Sequence, residues 1–375
     1  MKLIALKDVC KINMGQSPNS SSYNDYGDGM PFFQGNADFG ERYPITRVWC
    51  NTPTKIAQAE DILISVRAPI GALNYAKEEC CIGRGLAAIT PDRNKVSQDF
   101  IYWALKGKKA ELNDKGNGST FKAISRKILE ETMIPDINFE QQHKCAENLE
   151  KIYGIIQNRR KELLALDDLI KARFVEMFGS PVSNPMSWEK RTLKEVCIKL
   201  NDGSHFSPES FETGDYKYVT AKNIKFSGFD FSNITYVPEA VHRPIFDRCN
   251  PEFEDVLYIK DGATTGVAIV NTLDEEFTLL SSVALLKQDR SIMNGYFLAT
   301  LLNNKDMYLN IRNNMGGAAI TRLTIAKLNA IEIIVPPIEL QNQFAAFVAE
   351  VDKSKLMFQK LHQKLNILQQ KAGDI

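Results

Sequence analysis

The residues of this 375-residue chain best suited to chemistry lie in glycine-rich polar loops, and each loop occurs twice. Arg67-Ala68-Pro69-Ile70-Gly71 is matched by Asp261-Gly262-Ala263-Thr264-Thr265-Gly266. Gly116-Asn117-Gly118-Ser119-Thr120-Phe121-Lys122 is matched by Gly316-Gly317-Ala318-Ala319-Ile320-Thr321-Arg322, and Gln34-Gly35-Asn36-Ala37-Asp38 by Thr220-Ala221-Lys222-Asn223-Ile224. Glycine lets main-chain N–H groups approach an anion, while neighbouring Thr, Asn, Lys and Arg supply donors suited to phosphates and base edges. Any one of these loops, taken alone, reads as a tight turn. Their recurrence within diverging surroundings marks them as candidates. The contact residues are Asn36, Arg67, Ser119, Thr120 and Lys122 in the first copy, with Lys222, Asn223, Thr264, Thr265, Thr321 and Arg322 in the second. Lys122 and Arg322 are the expected phosphate partners.

No catalytic constellation accompanies them. A methyltransferase needs a glycine-rich cofactor loop between strand and helix, and Asn184-Pro185-Met186-Ser187-Trp188 and Asp202-Gly203-Ser204 lack that setting. A metal nuclease needs clustered carboxylates with a lysine, but Pro91-Asp92 and Pro135-Asp136 have no following Glu-x-Lys. Seven scattered cysteines without a CxxC pair read as reduced thiols, and four dispersed histidines suggest no zinc site. The chain is expected to catalyse nothing by itself and to hold no metal.

The loops belong to a larger duplication. Leu6-Lys7-Asp8-Val9-Cys10 returns as Leu193-Lys194-Glu195-Val196-Cys197, and Glu60-Asp61-Ile62-Leu63 as Glu254-Asp255-Val256-Leu257. Ile134-Pro135-Asp136-Ile137 with Glu140-Gln141-Gln142 is echoed by Val335-Pro336-Pro337-Ile338 with Gln341-Asn342-Gln343. Two copies this long make a duplicated domain, not a solenoid. The front of each copy has short apolar strand runs punctuated by Gly and Pro, such as 61–66 and 256–259, then a helix, then a strand running into proline.

The back of each copy carries a heptad rhythm. It falls at Leu149, Ile152, Ile156, Leu163, Leu166 and Ile170, continuing to Met177, and again at Phe344, Phe347, Val351, Phe358, Leu361, Leu365 and Leu368. Two such helices in one chain are expected to pair. The break at 179–185, with its two prolines and Asn-Pro turn, divides the copies. The expected fold is α+β: two pseudo-twofold-related, β-rich domains with short helices, separated by two long helices forming an antiparallel coiled coil. The expected segments are 1–139, a helix over 140–179, 180–337, and a helix over 338–375.

Composition excludes some classes. Equal numbers of basic and acidic residues, 46 each, give no general basic excess for coating nucleic acid. No apolar run approaches the ~20 residues that span a bilayer, and the start is too soon charged for a signal peptide, so a cytoplasmic protein is expected.

With these features together, the chain resembles the DNA-specificity subunit of type I restriction-modification systems. The resemblance rests on the Leu-Lys-(Asp/Glu)-Val starts, the Asp-(Ile/Val)-Leu runs before a glycine loop and Gly118-Ser119-Thr120-Phe121-Lys122-Ala123-Ile124. It also rests on the proline entries to the long helices and on Phe178-Gly179-Ser180-Pro181 with Asn184-Pro185 and Trp188. It implies that each front portion is a target-recognition domain for one half of a bipartite double-stranded DNA site. The helices would space the half-sites and dock two methyltransferase subunits, with restriction/translocase subunits in the same complex. S-adenosylmethionine, ATP and Mg2+ chemistry would then belong to partners. Gly317-Ala318-Ala319 departs from Gly118-Ser119-Thr120, so hydroxyl contacts in the first copy need not recur in the second. The rival from another class is a coiled-coil scaffold whose two β-rich modules bind protein or glycan.

Overall fold

The computed structural model describes residues 2–116, 122–313 and 322–373, with side chains as far as residue 356. It divides into two compact units, residues 1–160 with 359–375, and residues 161–358. Both long helices are therefore shared between units.

In the first unit a four-stranded antiparallel sheet runs Cys10–Met14, Leu86–Pro91, Ile62–Ser65, Leu73–Tyr75 from edge to edge. The second unit repeats that order with Cys197–Asp202, Val283–Gln288, Val256–Ile259 and Ala268–Val270. Each is accompanied by a two-stranded clasp, Leu3–Ala5 with Met133–Pro135 and Lys190–Thr192 with Glu332–Ile334. Each also has a second sheet, of five short strands in the first unit and three in the second, containing one parallel pair, Phe32 opposite Cys81 and Tyr218 opposite Thr278. The central strands are mostly apolar and almost wholly buried because both faces are covered. Ile62 and Ile64 join the core beneath the helices while Leu63 joins the core under the second sheet; Val256 and Tyr258 part from Leu257 and Ile259 in the same way.

The repeated motifs have physical explanations. Leu6 and Val9 of Leu6–Val9, and Leu193 and Val196 of Leu193–Val196, are buried plugs under the sheet. In Glu60-Asp61 and Glu254-Asp255 the glutamate takes a left-handed conformation, φ 70° and 69°. The buried aspartate fixes the turn by accepting the amide of Gln58 (2.9 Å) or Glu252 (2.8 Å). Gln142 accepts the Ser97 amide at 2.7 Å and donates to Ile137 O at 2.8 Å. Gln341 accepts the Asn294 amide at 2.9 Å and donates to Pro336 O at 2.7 Å. These two buried glutamines tie the start of each long helix to the N-terminus of an earlier helix of its domain, Gln98–Gly107 or Gly295–Asn303. The structural partner of Gln142 is thus Gln341, two residues from the Gln343 that the sequence alignment pairs with it.

The long helices run Phe139–Phe178 and Ile338–Gly373. Gly179, at φ 73°, ends the first, and Trp188 Nε1 donates to the exposed helix end at Phe178 O (3.1 Å). Within the second unit the two helices are antiparallel. Phe174 meets Phe344, the Arg173 guanidinium lies over the Phe347 ring at 6.0 Å, and Lys355 Nζ reaches Asp167 Oδ1 at 2.7 Å, so one numbering rises as the other falls.

The heptad seam divides its work. Leu149 is buried in the core of the first unit and Phe344 in that of the second, each packing on its own domain. Ile156 and Val351 are buried, whereas Ile152, Leu163, Leu166, Ile170 and Phe347 are half-buried. The side chains of Phe358, Leu361, Leu365 and Leu368 lie outside the described residues. Phe174 and Phe178, which the heptad count passes over, supply the main aromatic contact with Phe297 and Phe344.

Candidate nucleic-acid interface

The described residues of the three candidate loops lie together at one end of the four-stranded sheet in each copy. In the first unit main-chain hydrogen bonds link them in series: Gly85 N donates to Gln34 O (3.0 Å), Val66 N to Gly85 O (2.9 Å), and Ile124 N to Val66 O (2.9 Å). Ala68 N adds a bond to Lys122 O at 3.1 Å. The second unit builds a comparable series in which one link goes through the Ser282 side chain. Ala221 N donates to Ser282 Oγ (3.2 Å), Lys260 N to Ser282 O (2.9 Å), and Leu323 N to Lys260 O (2.8 Å). Loops distant in sequence become neighbours because the strand ends that carry them are adjacent.

The adjacent turns require glycine. A Cβ on Gly15 would collide with the carbonyl of Gly83, and one on Gly203 with the carbonyl of Leu279. Helices behind the loops hold them: Asn113 Nδ2 donates to Ile70 O at 2.9 Å, and Arg312 donates to Thr265 O at 2.8 Å and to the Tyr308 hydroxyl at 3.0 Å.

Side chains at this end fall into two groups. Arg67, Lys122, Lys222, Thr264 and Arg322 are exposed, and Asn36 is half-buried. Asn223 and Thr265 are buried and face inward. Asn223 Oδ1 accepts from Thr220 N and Oγ1, both at 3.0 Å, and Nδ2 donates to Asp230 O at 3.2 Å. It closes its turn as Asp38 does in the first copy by accepting Gln34 N at 2.7 Å. Thr265 Oγ1 donates to Gly262 O at 2.7 Å. These two residues shape loops and offer nothing outward. Ser119, Thr120 and Thr321 lie outside the described residues.

The bridges set a register that the sequence alignment misses by one residue. Arg67 faces Ala123, and Asp261 faces Arg322. Arg322 therefore corresponds to Ala123, and Asp261 to Arg67: the arginine has changed sides of the bridge. Its Nε stands 3.3 Å from Asp261 Oδ1.

Behind Asp261 lies a charged group that sequence reading overlooked. Buried Lys260 reaches Asp261 Oδ2 at 3.0 Å and buried Asp202 Oδ2 at 3.3 Å. Asp202 Oδ1 stands 3.0 Å from His205 Nε2, and Arg248 donates to Asp202 O at 3.0 Å. By sheet register, Asp202 and Lys260 correspond to Met14 and Val66. A lysine ending an apolar strand run was the available signal. Exposed Arg84, flanked by Gly83 and Gly85 beside Gln34, is a further cation that the reading passed over.

The cysteines take no part. Burial pushes the thiols of Cys10, Cys80, Cys197 and Cys249 up to about 12, far from the thiolate form needed for nucleophilic or ligand chemistry. Among the described residues no three His, Cys, Asp or Glu side chains gather as a metal site. No helix there is long and apolar enough to cross a membrane.

The duplicated sheet, with polar loop residues gathered at the same end in each copy, defines a protein of two like domains, and comparison with known proteins assigns its family. Residues 1–165 and 185–368 each match the type I restriction modification DNA specificity domain, so the chain belongs to that family and carries the domain twice. It is 47% identical over 152 residues to a putative type I restriction enzyme MjaX specificity subunit from Methanocaldococcus jannaschii, covering 40% of this chain and 36% of that relative. The chain thus spans about a third of that relative's length. It is 24% identical to the MjaIX specificity subunit of the same organism, over 92% of this chain and 84% of the relative. The crystal structure of a type I restriction-modification S subunit from M. genitalium shares the fold, with a TM-score of 0.59 at 16% identity, covering 99% of this chain and 94% of that one.

Proposed function

We propose that this chain is a non-catalytic subunit that reads a bipartite double-stranded DNA target, one half-site per domain. The observation that carries this reading is that the described residues of three polar loops gather at the same sheet end in both copies, on comparable hydrogen-bond series. Exposed Arg67, Arg84, Lys122, Lys222 and Arg322 supply cations for phosphates and base edges. The copies share a frame and differ in loop side chains, as two unlike half-site sequences require. The partners proposed from family membership are two methyltransferase subunits and restriction/translocase subunits, acting on DNA in the cytoplasm. S-adenosylmethionine, ATP and Mg2+ are assigned to those partners.

With a formal net charge of zero, the subunit alone has little long-range attraction for DNA. Gel-shift titration with random and selected duplexes, with and without a modification subunit, tests the proposal. Weak, salt-sensitive binding alone and tight sequence-selective binding in the complex are expected. A complex that selects no sequence from a randomised duplex library would overturn it and leave the protein- or glycan-binding scaffold as the better reading.

A further inference from the structure

The two recognition domains differ most sharply in a buried place. Where the first has Met14 and Val66, the second has Asp202 and Lys260, with side chains 4% and 2% exposed and 3.3 Å apart. A buried ion pair is weak evidence for stability, since well-packed apolar residues often serve as well or better. The first domain shows that this sheet end can be built with an apolar pair. The charges in the second domain therefore call for another role, and their contacts lead outward. Lys260 holds Asp261 Oδ2, Asp261 Oδ1 faces Arg322 Nε, and Arg322 stands exposed at the loop end. The Nε contact is an ion pair, since Asp261 Oδ1 accepts no hydrogen bond, and both terminal nitrogens of Arg322 have no partner among the described residues. The first domain's Arg67, opposite Ala123, has no side-chain partner there and no such guide.

We propose that Asp202, Lys260 and Asp261 form a positioning relay that presents the terminal nitrogens of Arg322 to the O6 and N7 atoms of a guanine in the second half-site. An arginine whose guanidinium is ion-paired on its Nε side with a carboxylate keeps its two terminal nitrogens available, and that pair of donors matches the base edge. Asp202 is the anchor: His205 and Arg248 hold it from the other side, and the short Arg248 bond to Gly203 O fixes the same turn. Asp202, Lys260 and Asp261 are positioning residues and touch no DNA themselves. The inference rests on the DNA-reading function proposed above.

The test is selection from a randomised duplex library by the full chain co-expressed with its modification subunit. Four forms are compared: wild type, Arg322→Lys, Lys260→Met, and the double variant Asp202→Met/Lys260→Val. The double variant recreates the first domain's apolar pair, and thermal melting shows that it folds even if the single lysine change does not. Wild type is expected to enrich two half-sites, the second containing a required G·C pair. In Arg322→Lys and the double variant, preference for that pair should fall by about tenfold or more while the first half-site is unchanged. Three results overturn the relay: unchanged guanine preference in the folded double variant, equal loss at both half-sites, or unchanged guanine preference in Arg322→Lys, which keeps a charge for phosphate but loses the two-donor fork. If wild type enriches no sequence at all, the DNA-reading function fails first and the relay with it.

Discussion

Phe174 on the first long helix and Phe344 on the second meet edge to face, their ring centroids 5.6 Å apart. Both are fully buried, and Phe178 and Phe297 complete the aromatic group. The contact fastens two helices and a recognition domain in one place. Phe174→Ala should cost about 3–5 kcal/mol, the range for emptying a buried aromatic site. Denaturant unfolding followed by tryptophan fluorescence and circular dichroism would report it. A loss below about 1 kcal/mol would show that the helices are fastened elsewhere.

Asn223→Ala should behave differently from Lys222→Ala, although the residues are adjacent. Asn223 is buried and makes three hydrogen bonds that close its turn, so its loss should lower stability by about 1–2 kcal/mol. Lys222 is exposed, and its loss should leave stability within about 0.5 kcal/mol while weakening DNA binding. Paired thermal melts and binding titrations separate the two. Equal melting temperatures for the variants would refute the turn-closing role.

Lys122→Ala removes an exposed cation from the loop end of the first domain. If it meets a phosphate, the slope of log affinity against log salt should become shallower by about 0.9, with sequence preference retained. An unchanged slope in the assembled complex would remove Lys122 from the interface.

His242 gives the second domain a pH dependence. The ring is buried, stacks on Tyr216 at 3.8 Å, and contacts Thr278 Oγ1 at 2.8 Å and Glu276 Oε2 at 3.2 Å. Burial holds its pKa below the ordinary 6.5; Arg243 acts in the same direction, while Glu276 and Glu239 oppose it. Because the folded value is the lower one, the unfolded chain takes up the proton first. Stability is therefore full above 6.5 and declines as pH falls below it. His242→Gln should flatten the melting temperature between about pH 6.5 and 5.5 relative to wild type. Parallel slopes would assign the acid sensitivity to other groups.

Much of this architecture is legible in the sequence because the features concerned are local or periodic. Val256–Ile259 reads as a strand covered on both faces, and the heptad rhythm gives both long helices. The interface is only partly legible. Asn223 and Lys222 look equally polar in a string, but one turns inward to bond the main chain. The exchange of Arg67 for Arg322 across a bridge depends on register, which a gapped loop alignment cannot fix. Asp202 and Lys260 lie far apart in the chain and meet because their strands flank the same central strand. Such a pair is invisible to any pattern search along the sequence.

The series from Gln34 through Gly85 and Val66 to Ile124 is made of main-chain atoms alone. A backbone bond is indifferent to which side chain sits above it. The outward residues can therefore be exchanged without loosening their footing, and most such substitutions should leave a folded protein that prefers different DNA. Selection for a new target thus acts on a surface largely uncoupled from folding, and the path between two specificities need not pass through unstable intermediates.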